Sequence, residues 1–160
     1  STTQVGAIYG TAGIIAIIIG NIVGGYLLSK FGFRKCILPF ALALKLPDIV
    51  YLYMAIAKPS IVIIYPLVIL EQFGFGVGFM AFTVFLMYIA RGPYKTSHYA
   101  ISTGIMALGM MLPGMISGYL QELFGYLSFF VIVLIATIPG LLTLPFILRC
   151  KAIEEAENAA

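Results

Sequence analysis

Charged residues are scarce in this chain. They make up 9% of its 160 residues, while 62% are hydrophobic, and a soluble globular domain carries about 25% charged residues. This shortage excludes an ordinary soluble domain and predicts an all-α integral membrane protein, because the apolar runs are long enough for helical spans. The net charge of +3 does not indicate a nucleic-acid partner, since the basic residues fall at span ends and not on one face.

Cysteine, histidine and tryptophan are almost absent as well. The two cysteines, Cys36 and Cys150, follow basic residues at span ends and predict neither a disulfide framework nor a metal site. His98 is the single histidine, so the pattern provides no nucleophile triad. The glycine-rich run at 74–78 lacks the preceding strand of a dinucleotide site. We therefore expect no enzyme activity, no cofactor and no metal; a membrane-embedded enzyme that uses His98 is the last of the alternatives.

Five apolar segments predict five membrane-spanning helices. They cover about residues 5–28, 37–57, 61–90, 99–120 and 127–148, at roughly 20 residues for each span. Short breaks that combine charge or amide with Gly or Pro separate them, as expected of turns. The prediction is one transmembrane bundle over residues 1–150, followed by a polar tail at 151–160.

The basic residues predict an orientation for this bundle. Lysines and arginines cluster in the first and third breaks and after the fifth span, whereas Lys58 is the one base on the opposite side. Loops rich in Lys and Arg stay in the cytoplasm. We therefore expect a multi-pass protein with its N-terminus outside and its C-terminus in the cytoplasm.

Glu71 and Gln72 interrupt the third apolar segment. Counted along a helix, Glu71 lies roughly 16 Å from the outer turn at Ser60, near the middle of a hydrocarbon core of ~30 Å. Asp48 and Asn21 reach a similar depth on the two preceding spans. A carboxyl at that depth is costly unless it is neutralised, paired or hydrated, and such residues usually mark a solute or proton path.

The candidates for this path are Glu71, Gln72, Asp48, Lys45 and Asn21. All of them except Gln72 have a structural alternative. Lys45 lies three residues before Asp48, and the two side chains would then neutralise each other as an ion pair. A protonated Glu71 would hydrogen-bond across a helix interface, and Asn21 would hold two helices together.

Glycines at small-xxx-small spacing predict close helix packing. The pairs of interest are Gly74 with Gly78 and Gly114 with Gly118. Gly74 and Gly78 also share a helical stripe with Glu71, Phe82 and Phe85. That stripe is typical of a cavity wall and equally of a packing seam.

The segment from 25 to 35 reads Gly-Tyr-Leu-Leu-Ser-Lys-Phe-Gly-Phe-Arg-Lys. It resembles the cytoplasmic signature loop between the second and third helices of each six-helix half of major facilitator transporters. The matching positions are Gly25, Lys30, Gly32, Arg34 and Lys35. Two positions depart from the pattern: Ser29 stands in place of an acid and Phe33 in place of a base.

A longer resemblance covers most of the chain from Gly20 to about Leu142. It is a resemblance to the AmpG-type permeases. The segments that carry it are Glu71–Gly78, Ala81–Met87, Lys95–Ile101, Met106–Leu108, Gly114–Leu120, Gly125–Tyr126 and Phe129–Phe130. By this likeness the chain corresponds to helices eight to twelve of a twelve-helix transporter, in its second six-helix half.

The resemblance implies a function and partners. It implies proton-driven uptake of cell-wall anhydromuropeptides across the bacterial inner membrane into the cytoplasm. The expected partners are this small-molecule solute, protons, membrane lipid and the missing N-terminal helices, in the same or a partner chain. The alternatives are transport of another solute, such as acetyl-CoA, and a structural or assembly subunit without transport activity.

Overall fold

The computed structural model describes Gly6, residues 8–150 and Ile153. The first residues of the predicted first span, and the predicted polar tail apart from Ile153, lie outside this part. All regular elements among the described residues are helical. The prediction of an all-α membrane protein is therefore confirmed.

The helices follow one another with short connections. A π-helical segment at Ile8–Gly13 leads into α1 at Ile14–Phe31. The remaining helices are α2 at Phe33–Ala43, α3 at Leu46–Ala57, α4 at Ile61–Ile89, α5 at Lys95–Leu142 and α6 at Leu144–Leu148.

Four helical stretches among the described residues are long and apolar enough to cross a membrane: Ile8–Phe31, Phe33–Ala57, Ile61–Ile89 and Lys95–Leu148. The sequence predicts five. The difference lies in the last stretch, where α5 is interrupted at Gly125 by φ 75° and ψ 165°. Only glycine adopts this conformation without strain, and it falls where the sequence predicts the turn between the fourth and fifth spans.

The first predicted break is much shorter than expected. Helix α1 continues to Phe31 and α2 begins at Phe33, so Gly32 alone separates them, at φ 81°. The second span therefore begins before the predicted Ile37. It is also not one continuous helix, because α2 ends at Ala43 and α3 begins at Leu46. Pro47 lies in the first turn of α3 and has no N–H for the preceding turn.

Helices α1 and α4 pack backbone against backbone. A Cβ atom on Gly20 would collide with the Phe73 carbonyl oxygen, and one on Gly76 would collide with the Ile17 carbonyl oxygen. Glycine at both positions is therefore what allows the approach. This contact places the middle of α4, including Glu71, against α1.

A cluster of apolar residues packs α2 against α4 near Gly32. Phe33, which is 1% exposed, packs against the rings of Phe85 and Tyr88 at centroid distances of 6.2 and 5.5 Å. By contrast, α5 contains no buried residue. Its second part still reaches the bundle, since the Phe130 ring stacks on Tyr51 at 5.7 Å.

Candidate functional site

Glu71 is the one buried polar or charged residue among the described residues, and only 4% of it is exposed. It lies on α4, whose buried face also carries Gly74, Gly76 and Gly78. Gly76 lets α1 approach closely and Gly78 does the same for α2, since a Cβ on either glycine would collide with that helix. The sequence therefore buries the carboxyl by removing side-chain volume next to it.

Two side chains donate hydrogen bonds to the same oxygen of this carboxyl. The Tyr51 hydroxyl lies 3.1 Å from Glu71 Oε1, and Gln72 Nε2 lies 3.3 Å from it. The Tyr51 hydroxyl is also 3.0 Å from the Tyr9 hydroxyl. A polar cluster of four side chains thus joins the π-helical segment, α3 and α4, and we call it the Glu71 cluster.

The second oxygen of the carboxyl, Oε2, is buried without a hydrogen-bond partner in the part of the chain that the structure describes. A buried oxygen of this kind costs about 1–3 kcal/mol if it stays unsatisfied, and more when the group is charged. A proton on Oε2 removes the charge and with it the added cost of burying a charged group. The cluster is therefore chemically suited to take up and release one proton.

Tyr9 and Tyr51 are functional candidates that the sequence analysis missed. The chain has 10 tyrosines, and tyrosine in a membrane protein usually marks the interface. The sequence feature that could have identified Tyr51 is its depth, because it lies one helical turn from Asp48, at the level of the other polar residues. Nothing in the sequence indicates that its hydroxyl would face Glu71.

Lys45 and Asp48 form the predicted pair, with 3.9 Å between Nζ and Oδ2. Their side chains are 28% and 19% exposed. The pair does not lie on an uninterrupted helix as expected, because Lys45 stands at the break between α2 and α3. Lys45 lines a cavity of about 280 Å³ that Glu71 does not line, so the structure separates the predicted path residues into two places.

Asn21 is not part of either place. Its Nδ2 donates to the Ile17 carbonyl oxygen of its own helix at 2.9 Å. Because this hydrogen bond lies within α1, it supports neither the predicted path nor the predicted link between two helices. The role of Asn21 stays a prediction.

The four glycines predicted to pack helices differ in their surroundings. Gly74 and Gly78 are buried, and a Cβ on Gly78 would lie 2.7 Å from the Phe40 carbonyl oxygen. Gly114 and Gly118 lie on α5 with nothing within 4 Å of a Cβ. The packing predicted for them therefore has no partner among the described residues.

In the predicted signature loop, Gly32 adopts a positive-φ backbone conformation that favours glycine. Gly32 has φ 81°, while a Cβ on Gly25 would lie 3.3 Å from Met80 Cε. The Lys30 ammonium lies 5.8 Å from the Tyr26 ring centroid and 5.5 Å from that of Phe31. Arg34 and Lys35 are exposed. The loop is thus a tight turn with its basic residues at the surface.

His98 lies exposed in the first turn of α5. Within the described residues, no group of three or more His, Cys, Asp or Glu side chains could hold a metal ion. Neither observation indicates a functional site besides the Glu71 cluster and the cavity that Lys45 lines.

Comparison with known proteins identifies similar membrane transporters. The chain is 26% identical over 132 residues to a putative transporter AmpG 1 of Rickettsia felis, covering 82% of this chain and 30% of that protein. It is 25% identical over 141 residues to the anhydromuropeptide permease of Escherichia coli (strain K12), covering 88% of this chain and 29% of the permease. The chain thus spans about three tenths of the length of these curated relatives.

Two further comparisons give no match. No family model matches the chain, and no solved structure does so. The similarity therefore rests on the curated permeases, and the four helical stretches long enough to cross a membrane agree with it. Placement among major facilitator transporters is consistent with both. Across most of its length the chain is similar to AmpG-type permeases, as its motifs predict.

Proposed function

We propose that the chain forms part of a proton-coupled secondary transporter in which Glu71 carries the proton. The observation that carries this proposal is the buried Oε2 of Glu71, which has no partner among the described residues. A carboxyl in this position is stable when protonated and destabilised when charged. Solute binding that changed the surroundings of Glu71 would therefore change how firmly the proton is held.

The Glu71 cluster connects this proton to helix positions. Tyr51 belongs to α3, and Tyr9 belongs to the π-helical segment that leads into α1. A charged carboxylate accepts stronger hydrogen bonds than a neutral carboxyl does. Release of the proton would therefore pull Tyr51 towards α4, and uptake would loosen it. This is the link between proton binding and helix movement that a coupled transporter needs.

The proposed solutes are cell-wall anhydromuropeptides, moved into the bacterial cytoplasm across the inner membrane. The support is the name of the Escherichia coli permease to which the chain is similar. The proposed orientation places the turn at Gly32 and the C-terminus in the cytoplasm, because Lys30, Arg34 and Lys35 surround Gly32. Alternating access requires two halves that move around a central site, so the activity belongs to the complete assembly of helices.

A second candidate function is structural. The Tyr51–Glu71 hydrogen bond joins α3 to α4, which is what a carboxyl that only holds helices together would also do. In that case the chain would be an assembly subunit, and Glu71 would contribute to stability alone.

Uptake measurements on whole cells separate the two functions. The assay is uptake of a labelled anhydromuropeptide by a bacterial strain that lacks its own permease and expresses the complete protein. Under the transporter proposal, Glu71→Gln keeps wild-type amounts of protein in the membrane and abolishes proton-driven accumulation. Glu122→Gln is the matched control, because Glu122 is exposed, and it should transport normally. Normal accumulation by Glu71→Gln, or its loss from the membrane with no effect on transport per molecule, supports the structural function.

A further inference from the structure

A second place in the molecule is shaped to hold a ligand. A cavity of about 280 Å³ lies between α2, α4 and the segment that joins α5 to α6. Its walls include Phe33, Ile37, Phe82, Phe85 and Ile147. The volume is close to the lower end of the range for small-molecule sites, about 300–1,000 Å³. Glu71, Gln72 and Tyr51 do not line it, so it is separate from the Glu71 cluster.

Two helix breaks meet at this cavity. One is the break between α2 and α3 at Leu44 and Lys45, and the other is at Thr143, between α5 and α6. Both breaks precede a proline, Pro47 and Pro145. Proline has no N–H, so Pro47 and Pro145 cannot donate to the carbonyls of Ala43 and Leu141, and the Leu141 carbonyl oxygen accepts from the Thr143 N–H instead.

Broken backbone at membrane depth is tolerated where it is buried in protein or lines a cavity that admits polar groups. Leu44, Lys45, Leu141 and Thr143 all line this cavity, so both breaks border it directly. Discontinuous helices in membrane transporters commonly form binding sites for this reason. The cavity therefore has mostly apolar walls, with a helix break at each of two edges.

Lys45 supplies a positive charge to the cavity. Its Nζ lies 3.9 Å from Asp48 Oδ2, which is an ion pair but longer than a hydrogen bond. An ammonium has three N–H donors, so Asp48 leaves it able to bind another anionic oxygen. Lys45 lines the cavity and Asp48 does not. A ligand in the cavity thus meets the positive partner of the pair.

Thr143 is the other residue of the lining with a polar side chain, and its hydroxyl already has a hydrogen-bond partner. The Thr143 hydroxyl donates to the Gly140 carbonyl oxygen at 2.7 Å. With one cation and otherwise mostly apolar walls, the cavity is poorly suited to a sugar or a phosphate, which carries many polar groups that need partners. It is better suited to a ligand with one anionic group and a short apolar body.

We propose that this cavity binds a solute carboxylate with an apolar chain, its carboxylate at Lys45 and its chain between Phe82 and Phe85. The inference goes beyond the proton step, because it assigns a binding site that does not include Glu71. Its test measures binding at a fixed pH and without transport. Failure of this test would leave the role of Glu71 intact, and failure of Glu71 would leave this site intact.

The chain contains no tryptophan, so a single introduced tryptophan can report on binding in the cavity. In Phe82→Trp, the introduced indole lines the cavity, and every tryptophan outside this chain is replaced by Phe so that the indole is the sole source of tryptophan fluorescence. The complete protein is placed in phosphatidylcholine liposomes, and 8-bromooctanoate is added as a quenching probe. We expect saturable quenching, with at least tenfold weaker binding of the brominated alcohol and amine of the same chain length.

Two variants of the reporter protein identify the contacts. Lys45→Met removes the charge and should weaken binding of 8-bromooctanoate at least tenfold. Ala41→Leu adds volume at a lining position, keeps both charges, and should weaken binding similarly. Lys30→Met, at the exposed end of α1, is the matched control and should bind normally. Circular dichroism verifies the helix content of each variant, and Ala41→Leu decides the result if Lys45→Met fails to fold.

Three results would overturn the proposal. The first is equal quenching by the carboxylate, the alcohol and the amine, which indicates partition into the bilayer. The second is unchanged binding in a folded Lys45→Met or, if that variant fails to fold, in Ala41→Leu. The third is displacement of the probe when phosphatidylglycerol replaces part of the phosphatidylcholine, which would identify an anionic lipid headgroup, and not a solute, as the occupant of the cavity.

Discussion

The Tyr51 hydroxyl donates a hydrogen bond to Glu71 Oε1 at 3.1 Å and so joins α3 to α4 across the bundle. This bond gives the buried carboxyl a partner that belongs to another helix. Tyr51 in turn shares a hydrogen bond of 3.0 Å with Tyr9. Any change in the charge of Glu71 therefore acts on three segments of the chain.

Removal of the Tyr51 hydroxyl tests this link. Tyr51→Phe keeps the ring that stacks on Phe130 and deletes one donor to Glu71. A hydrogen bond to a charged group contributes about 1.5–3 kcal/mol, so we expect proton-coupled uptake to fall about tenfold or more. The control is Tyr53→Phe, because Tyr53 is 47% exposed on the same helix. Equal uptake by the two variants would contradict a coupling role for Tyr51.

Tyr9 should matter less than Tyr51. Tyr9→Phe removes the outer member of the Glu71 cluster and leaves both donors to Glu71 Oε1, Tyr51 and Gln72, in place. A neutral hydrogen bond contributes about 0.5–1.5 kcal/mol, so we expect a reduction in uptake that is several times smaller than for Tyr51→Phe. A larger loss in Tyr9→Phe, measured in the same assay, would show that the cluster is organised around the π-helical segment.

The α1–α4 contact should be intolerant of a methyl group. Gly20→Ala and Gly76→Ala each place a Cβ against a backbone carbonyl oxygen, and overpacking of this kind costs about 1–3 kcal/mol. We expect a lower midpoint of thermal unfolding in detergent for both variants. Gly109→Ala is the control, because nothing lies within 4 Å of its Cβ. An unchanged midpoint for Gly20→Ala would contradict the close approach of the two helices.

The Lys45–Asp48 pair should behave as a coupled unit. Both side chains are partly exposed, so loss of one partner should cost about 1 kcal/mol and not the larger penalty of a fully buried pair. We expect Lys45→Met and Asp48→Asn each to lower stability, and the double variant to recover part of the loss. Strict additivity of the two losses, measured by unfolding in detergent, would show that the pair does not interact.

The sequence predicts spacing along a helix better than contacts between helices. Counting residues from Ser60 places Glu71 in the middle of its span because helical rise is constant. The pairing of Lys45 with Asp48 follows in the same way from their spacing, and the structure contains it. Contacts between helices depend on helix rotation, so the sequence does not predict that Tyr51 and Tyr9 complete the Glu71 cluster.

The helix breaks illustrate the same limit. Pro47 is recognisable in the sequence as a kink, but the interruption of the span at Leu44 and Lys45, with a cavity beside it, depends on how α2 packs on Gly78. Gly125 is recognisable as part of a turn, and the structure interrupts α5 at this residue, with φ 75° and ψ 165°. Local signals therefore locate the breaks, and packing determines their geometry.

The most direct test of the central claim measures proton movement through the complete transporter in liposomes. An inward gradient of anhydromuropeptide is imposed, and the internal pH is followed with a trapped fluorescent dye. Wild-type protein and Glu122→Gln should acidify the interior as solute enters, while Glu71→Gln should bind the solute and give no pH change. Acidification by Glu71→Gln at the wild-type rate would contradict the assignment of Glu71 as the proton carrier.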